Sequence, residues 1–150
     1  MGFFDGYNVA TSGMSAQRTR INVVSANIAN AQTTHTQDGG PYKKQNVVFE
    51  EMLLQNQKKT ETNDKNMNQN DLALRGVGVN SIVESKDEPI MKFEPEHPDA
   101  NEQGYVAYPN INPVVEMVDL IEAMRSYEAN VAAFTTHKNI DTKTLDILKA

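Results

Sequence analysis

The stretch that decides this reading is residues 112–148, NPVVEMVDLIEAMRSYEANVAAFTTHKNIDTKTLDIL. Pro113 opens it, and neither proline nor glycine recurs before the last residue, Ala150. Proline suits the first turn of a helix, where its missing N–H costs nothing. After it, Met117, Leu120, Met124, Tyr127, Val131 and Phe134 recur at alternating gaps of three and four, and Leu145 and Leu148 return to that register. This is the apolar seam of an amphipathic helix, close to a coiled-coil repeat. Glu116, Asp119, Glu122, Arg125, Glu128 and Lys138 are expected on the opposite, polar face. At about 1.5 Å per residue such a helix is roughly 50 Å long. A chain of this length folds to a domain only about 30 Å across. The helix is therefore expected to overhang its domain and to meet partners elsewhere.

The amino-terminal end has the same character. Tyr7, Ala10, Met14, Ile21, Val24 and Ile28 repeat at helical spacing, with Gln17 as the one polar break, which predicts a helix from Tyr7 to about Ala31. Asn30 stands near its end, where asparagine tolerates the left-handed conformation that stops helices. Pairing the two terminal helices covers both seams. Two such helices on their own still expose apolar area, so they are expected to order fully only among neighbouring subunits.

Between the ends the period changes. Asp38-Gly39-Gly40-Pro41 is a turn signal. Tyr42–Leu54 reads as a strand, with a short helix at Glu50–Leu54 as the alternative. Residues 55–71 are rich in Asn, Gln, Lys and Thr and lack apolar anchors, which predicts a mobile loop. The segment Leu72–Val83 reads as a strand bulged near Gly76 and Gly78, and Ile90–Phe93 and Tyr105–Tyr108 as short strands. The expected fold is α+β: a small β-rich domain (32–111) inserted between terminal helices (1–31 and 112–150) that pair as a coiled coil.

Composition narrows the function. The net charge of −6 opposes binding to nucleic acid, and the absence of cysteine removes disulfides and thiolate metal sites. MGFFDGYNVA lacks the pattern of a cleaved secretory signal, and no apolar run is long enough to insert in a membrane. His35, His97 and His137 fall on different elements without ligand spacing. His97-Pro98-Asp99 matches a co-chaperone tripeptide but lacks the flanking helices, so it reads as a turn. Arg75-Gly76-Val77-Gly78 lacks the lysine of a phosphate-binding loop, and Ser12, Ser15 and Ser25 have no histidine in reach as a base. No catalytic constellation emerges; the chain is expected not to be an enzyme and to need no cofactor.

The two ends also carry a resemblance. Ser12-Gly13-Met14-Ser15-Ala16-Gln17-Arg18-Thr19-Arg20, followed by Ser25-Ala26-Asn27-Ile28-Ala29-Asn30, resembles the amino-terminal signature of the flagellar rod and hook axial proteins. Glu116 to Asn130 is similar to the matching carboxy-terminal signature. Pro95 to Ala100, Gly104-Tyr105-Val106 and Tyr108-Pro109-Asn110 are similar to the C-type proximal rod subunits of that family. The resemblance implies a structural subunit that passes unfolded through a type III export apparatus, without a cleaved signal peptide. It implies assembly with its own copies and other rod subunits into the periplasmic rod of the basal body, which transmits motor torque. The expected assembly interface is Met14, Ile21, Val24, Asn27, Ile28 and Asn30 at one end, and Met117, Leu120, Met124, Arg125, Tyr127, Asn130, Val131, Phe134, Leu145 and Leu148 at the other. The alternative is a soluble coiled-coil adaptor or export chaperone that binds one partner helix. A folded particle of defined size would mark the adaptor.

Overall fold

A computed structural model describes residues 5–54 and 75–149. In chain order the elements are α1 (Asp5–Ala29), β1 (Gln45–Leu53), β2 (Arg75–Glu84), β3 (Ile90–Phe93), β4 (Tyr105–Tyr108) and α2 (Pro113–Lys149). The segment expected to be a mobile loop, 55–71, lies outside the described residues, as do Leu72 and Leu74.

Both helix ends follow from local chemistry. The Val114 N–H donates to Asn112 Oδ1 at 3.0 Å, so Asn112 caps α2 and Pro113 takes the first helical position. Thr135, Thr136, Thr142 and Thr144 each return their hydroxyl to the carbonyl four residues back, which keeps these polar side chains satisfied along the helix. At the end of α1, Asn30 does not enter the left-handed region; no residue other than glycine has a positive φ among those described. It closes the helix instead by donating both its backbone N–H and its Nδ2 to the Ala26 carbonyl, at 3.0 and 2.9 Å.

The helices lie antiparallel, with Tyr7 against Asp141 at one end and Asn27 against Glu116 at the other. The β1–β2 hairpin packs on a different flank of α1, where the Val77 N–H donates to Ser12 Oγ at 3.2 Å. α1 is thus the middle layer, covered by α2 on one side and by the hairpin on another. This explains why its buried residues, Ala10, Gly13, Ala16, Val23, Val24 and Asn27, do not form one narrow stripe.

β1 and β2 pair antiparallel over their whole length, so Glu50–Leu53 is strand and not helix. The register steps from Val48↔Ser81 to Phe49↔Val79, which leaves Asn80 as the extra residue of a bulge. The bulge therefore falls beyond Gly76 and Gly78. Gly76 serves close approach instead: a Cβ there would stand 2.6 Å from Ser12 Oγ and 2.9 Å from Leu54 Cδ1. β3 and β4 form a separate antiparallel pair at the boundaries read from the sequence. Their connection turns through Gly104 at φ +82°, and the Asn101 side chain accepts from the Gln103 and Tyr105 N–H groups. His97 is part of that turn, its Nδ1 accepting from the Asp99 N–H, while Thr34 donates to Asp99 and ties the turn to the segment after α1.

Among the described residues the buried apolar ones are Ala10, Ala16, Val23, Val24, Val106, Ile111 and Ala123. Five of these seven lie on the helices and only Val106 lies in a strand, so the described part of the segment between the helices contributes little to the core. α1 is the element on which α2 and the β1–β2 hairpin pack.

Candidate assembly surface

The face between the helices repeats every seven residues on both. Gly6 lies against His137, Gly13 against Asn130, and Asn27 against Glu116. A Cβ on Gly6 or Gly13 would come within 2.8 Å of the His137 ring or the Asn130 amide, so glycine is what lets the helices approach this closely. Between these positions Arg20 faces Asp119 and Glu122 at 3.9 and 3.7 Å, and Ala123 is fully buried. Near the amino-terminal end of α1, Tyr7 stacks edge-on against Phe134 with 4.9 Å between ring centres and donates to Asp141 at 2.6 Å. That hydrogen bond, with some burial and the nearby negative charge, raises the Tyr7 pKa above its ordinary 10.0.

Asn27 and Glu116 are the polar centre of the subunit, each only 1% exposed. Asn27 Nδ2 donates to the Gln45 carbonyl at 2.9 Å and to Glu116 Oε2 at 3.1 Å. Its Oδ1 accepts from the Gln45 N–H at 2.9 Å and the Tyr42 hydroxyl at 3.2 Å. The amide thus pairs with both backbone groups of Gln45, as a neighbouring strand would. Glu116 Oε1 pairs with Lys44 Nζ at 2.6 Å. A buried carboxylate needs such partners, and this one has both a cation and an amide donor. Burial, followed by the Glu116 and Glu84 charges, raises the Tyr42 pKa. Beside this network a cleft of about 280 Å³ is lined by Arg20, Val23, Lys44, Val47, Phe49 and Asp119, among others. Among the described residues no group of three or more His, Cys, Asp or Glu is placed to hold a metal ion, and no helix is long and apolar enough to cross a membrane.

The expected interface residues divide. On α1, Val24 and Asn27 are buried, while Met14, Ile21, Ile28 and Asn30 are half-buried. On α2, Leu120, Tyr127, Asn130 and Phe134 are half-buried at positions that turn toward α1. Met117, Met124, Arg125, Val131, Leu145 and Leu148 are exposed. The within-chain seam thus keeps Leu120, Tyr127 and Phe134 of the apolar stripe but takes Glu116, Ala123 and Asn130 in place of Met117, Met124 and Val131, a rotation of about 50°. Glu116, expected on the polar face, is at the seam, and Asn130 and His137 join it. Hydropathy did not single out Gly6, Gly13 or His137; small residues repeating every seven opposite polar ones were the available signal. With the seam turned inward, Val114, Met117, Val118, Ile121 and Met124 form an apolar strip on the outside of α2. Contiguous exposed strips of this kind mark interaction surfaces.

Comparison with known proteins places this architecture in a class. Residues 8–34 match the family described as flagella basal body rod protein, and residues 102–147 match the flagellar basal body rod FlgEFG protein C-terminal family. Over nearly the full chain the sequence is also similar to curated flagellar basal-body rod proteins FlgC. It is 40% identical to that of Borreliella burgdorferi, covering 99% of both chains. It is 38% identical to that of Bacillus subtilis (97% of this chain, 98% of that one) and 35% identical to that of Salmonella typhimurium (98% of each). The chain belongs to the FlgC family of flagellar basal-body rod proteins.

Proposed function

We propose that this chain is a structural subunit of the proximal rod of the bacterial flagellum. Its terminal helices pack as a coiled coil with each other and with those of neighbouring subunits, building the periplasm-spanning shaft that transmits motor torque. Its partners are further copies of itself and other rod subunits. It reaches the periplasm through the type III export apparatus without a cleaved signal peptide, and its role involves no catalysis, cofactor, nucleic acid or membrane insertion. The division into terminal helices (1–31, 112–150) and an inserted segment (32–111) is part of this reading. Heterologous contacts that do not close into a ring extend as a helical tube, which is the symmetry a rod needs.

The observation that carries this reading is the apolar outer strip of α2 in a chain related over its whole length to rod proteins. The test is complementation in a strain deleted for its own copy of the gene, with basal bodies isolated from the cells. Restored swimming, with the chain recovered in the rod fraction, is the expected result. Recovery only as a soluble complex with one other protein would refute the assignment and point to an adaptor.

A further inference from the structure

Six apolar residues sit one position beyond the within-chain seam: Met14, Ile21 and Ile28 on α1, and Met117, Met124 and Val131 on α2. The contacts of the seam place them in three rungs. Gly13 faces Asn130, so Met14 and Val131 form the next rung out; Asn27 faces Glu116, so Ile28 and Met117 do the same; Ile21 and Met124 lie midway. All three rungs open on one side of the helix pair. On α1 the residue before a seam position turns to the hairpin, as Ser12 does in bonding Val77, so the residue after it turns away. On α2, Asp119 borders the cleft against β1, and Met117 lies about 160° round the helix from it. The α1 residues are half-buried, and Met117 and Met124 are 51% and 47% exposed. The result is a shallow apolar furrow between two helices, about 21 Å long from Met14 to Ile28.

A furrow continuous with a helix–helix seam fits a third helix, and the same chain offers one. The face of α2 that packs on α1 as far as Asp141 continues through Leu148, seven residues on, with Leu145 beside it at the position that Met117, Met124 and Val131 hold farther back. No described residue covers it there; residues 142–149 are all exposed, Leu148 at 77%. This end projects about 12 Å beyond Asp141.

We propose that the projecting end of α2 in one copy lies in the Met14–Met124 furrow of a second copy. The proposal rests on the structural-subunit reading and specifies how two copies join. The contact is heterologous, since each subunit has one furrow and one projecting end, at different places. It therefore passes from copy to copy, and extends as a helix where the rotation does not close into a ring.

The chain has no cysteine, so paired cysteines report the contact directly. Met124→Cys and Leu148→Cys are co-expressed in the deletion strain, the intact cells are oxidised, and isolated basal bodies are examined for disulfide-linked dimers. A dimer that needs both variants, and is lost when Asn22→Cys on the outer face of α1 replaces Met124→Cys, supports the proposal. Dimers of Met124→Cys alone, equal yield with Asn22→Cys, or Leu148→Cys linked to a different protein would each overturn it. Basal bodies that contain the chain but no mixed dimer also overturn it while leaving the rod assignment standing. Absence of the wild-type chain from basal bodies would instead remove the rod assignment. As a second variant, Met124→Glu should keep the wild-type helical signal and unfolding midpoint yet lose incorporation into the rod. Normal incorporation of Met124→Glu would count against the furrow.

Discussion

Replacing Asn27 by alanine removes four hydrogen bonds at one buried point. The Gln45 N–H and carbonyl lose their common partner, Tyr42 loses its acceptor, and Glu116 keeps only Lys44. A buried group left unpaired costs about 1–3 kcal/mol, and water reaches part of half-buried Gln45 and Tyr42. The expected loss is about 2–4 kcal/mol, which for a chain of this size lowers the unfolding midpoint by about 5–15 °C. Thermal unfolding of the purified subunit, followed by circular dichroism, reads the shift. Amide exchange should rise across β1 in parallel, because the Asn27 amide holds the start of that strand. Asn27→Asp is expected to cost more than alanine, since it sets a second carboxylate against Glu116. A midpoint shift below about 2 °C, with β1 exchange unchanged, would refute the idea that this network holds helices and hairpin together.

Gly13→Leu is expected to lose about 1–3 kcal/mol by overpacking against Asn130, and Asn130→Ala in the same chain should recover part of it; chemical denaturation measures both. Phe134→Asp and Val131→Asp should separate folding from assembly. The first breaks the Tyr7 contact and destabilises the subunit, while the second changes its stability by less than about 0.5 kcal/mol but abolishes motility. Alkaline pH acts through Tyr7, Tyr42 and Tyr108, all raised above 10.0; for Tyr108 the main cause is its hydrogen bond to Glu94. A raised folded-state pKa favours the neutral phenol in the native subunit. The stability it contributes is complete below pH 10 and lost as pH rises through the raised values. The unfolding midpoint should fall above pH 10, and less steeply in Tyr42→Phe.

The sequence by itself determined which elements exist. The uninterrupted run after Pro113 has one secondary structure open to it, and β3 and β4 stand between prolines and glycine that admit little else. The signatures at the two ends carried the family. Local physics decides these features, because propensity, capping and turn chemistry act over a few residues. Tertiary structure alone decided which way each helix faces. Of the apolar stripe where hydropathy looks for the core, Leu120, Tyr127 and Phe134 turn inward, while Met117, Met124 and Val131 lie outside. The inner face is built from Gly6, Gly13 and Asn27 opposite His137, Asn130 and Glu116, residues that hydropathy counts against burial. Gly13, Asn27 and Glu116 are buried there because glycine lets two backbones come close, and because one amide and one lysine satisfy the carboxylate. That compensation joins residues 27, 44 and 116, so it becomes visible only when the fold has brought them together.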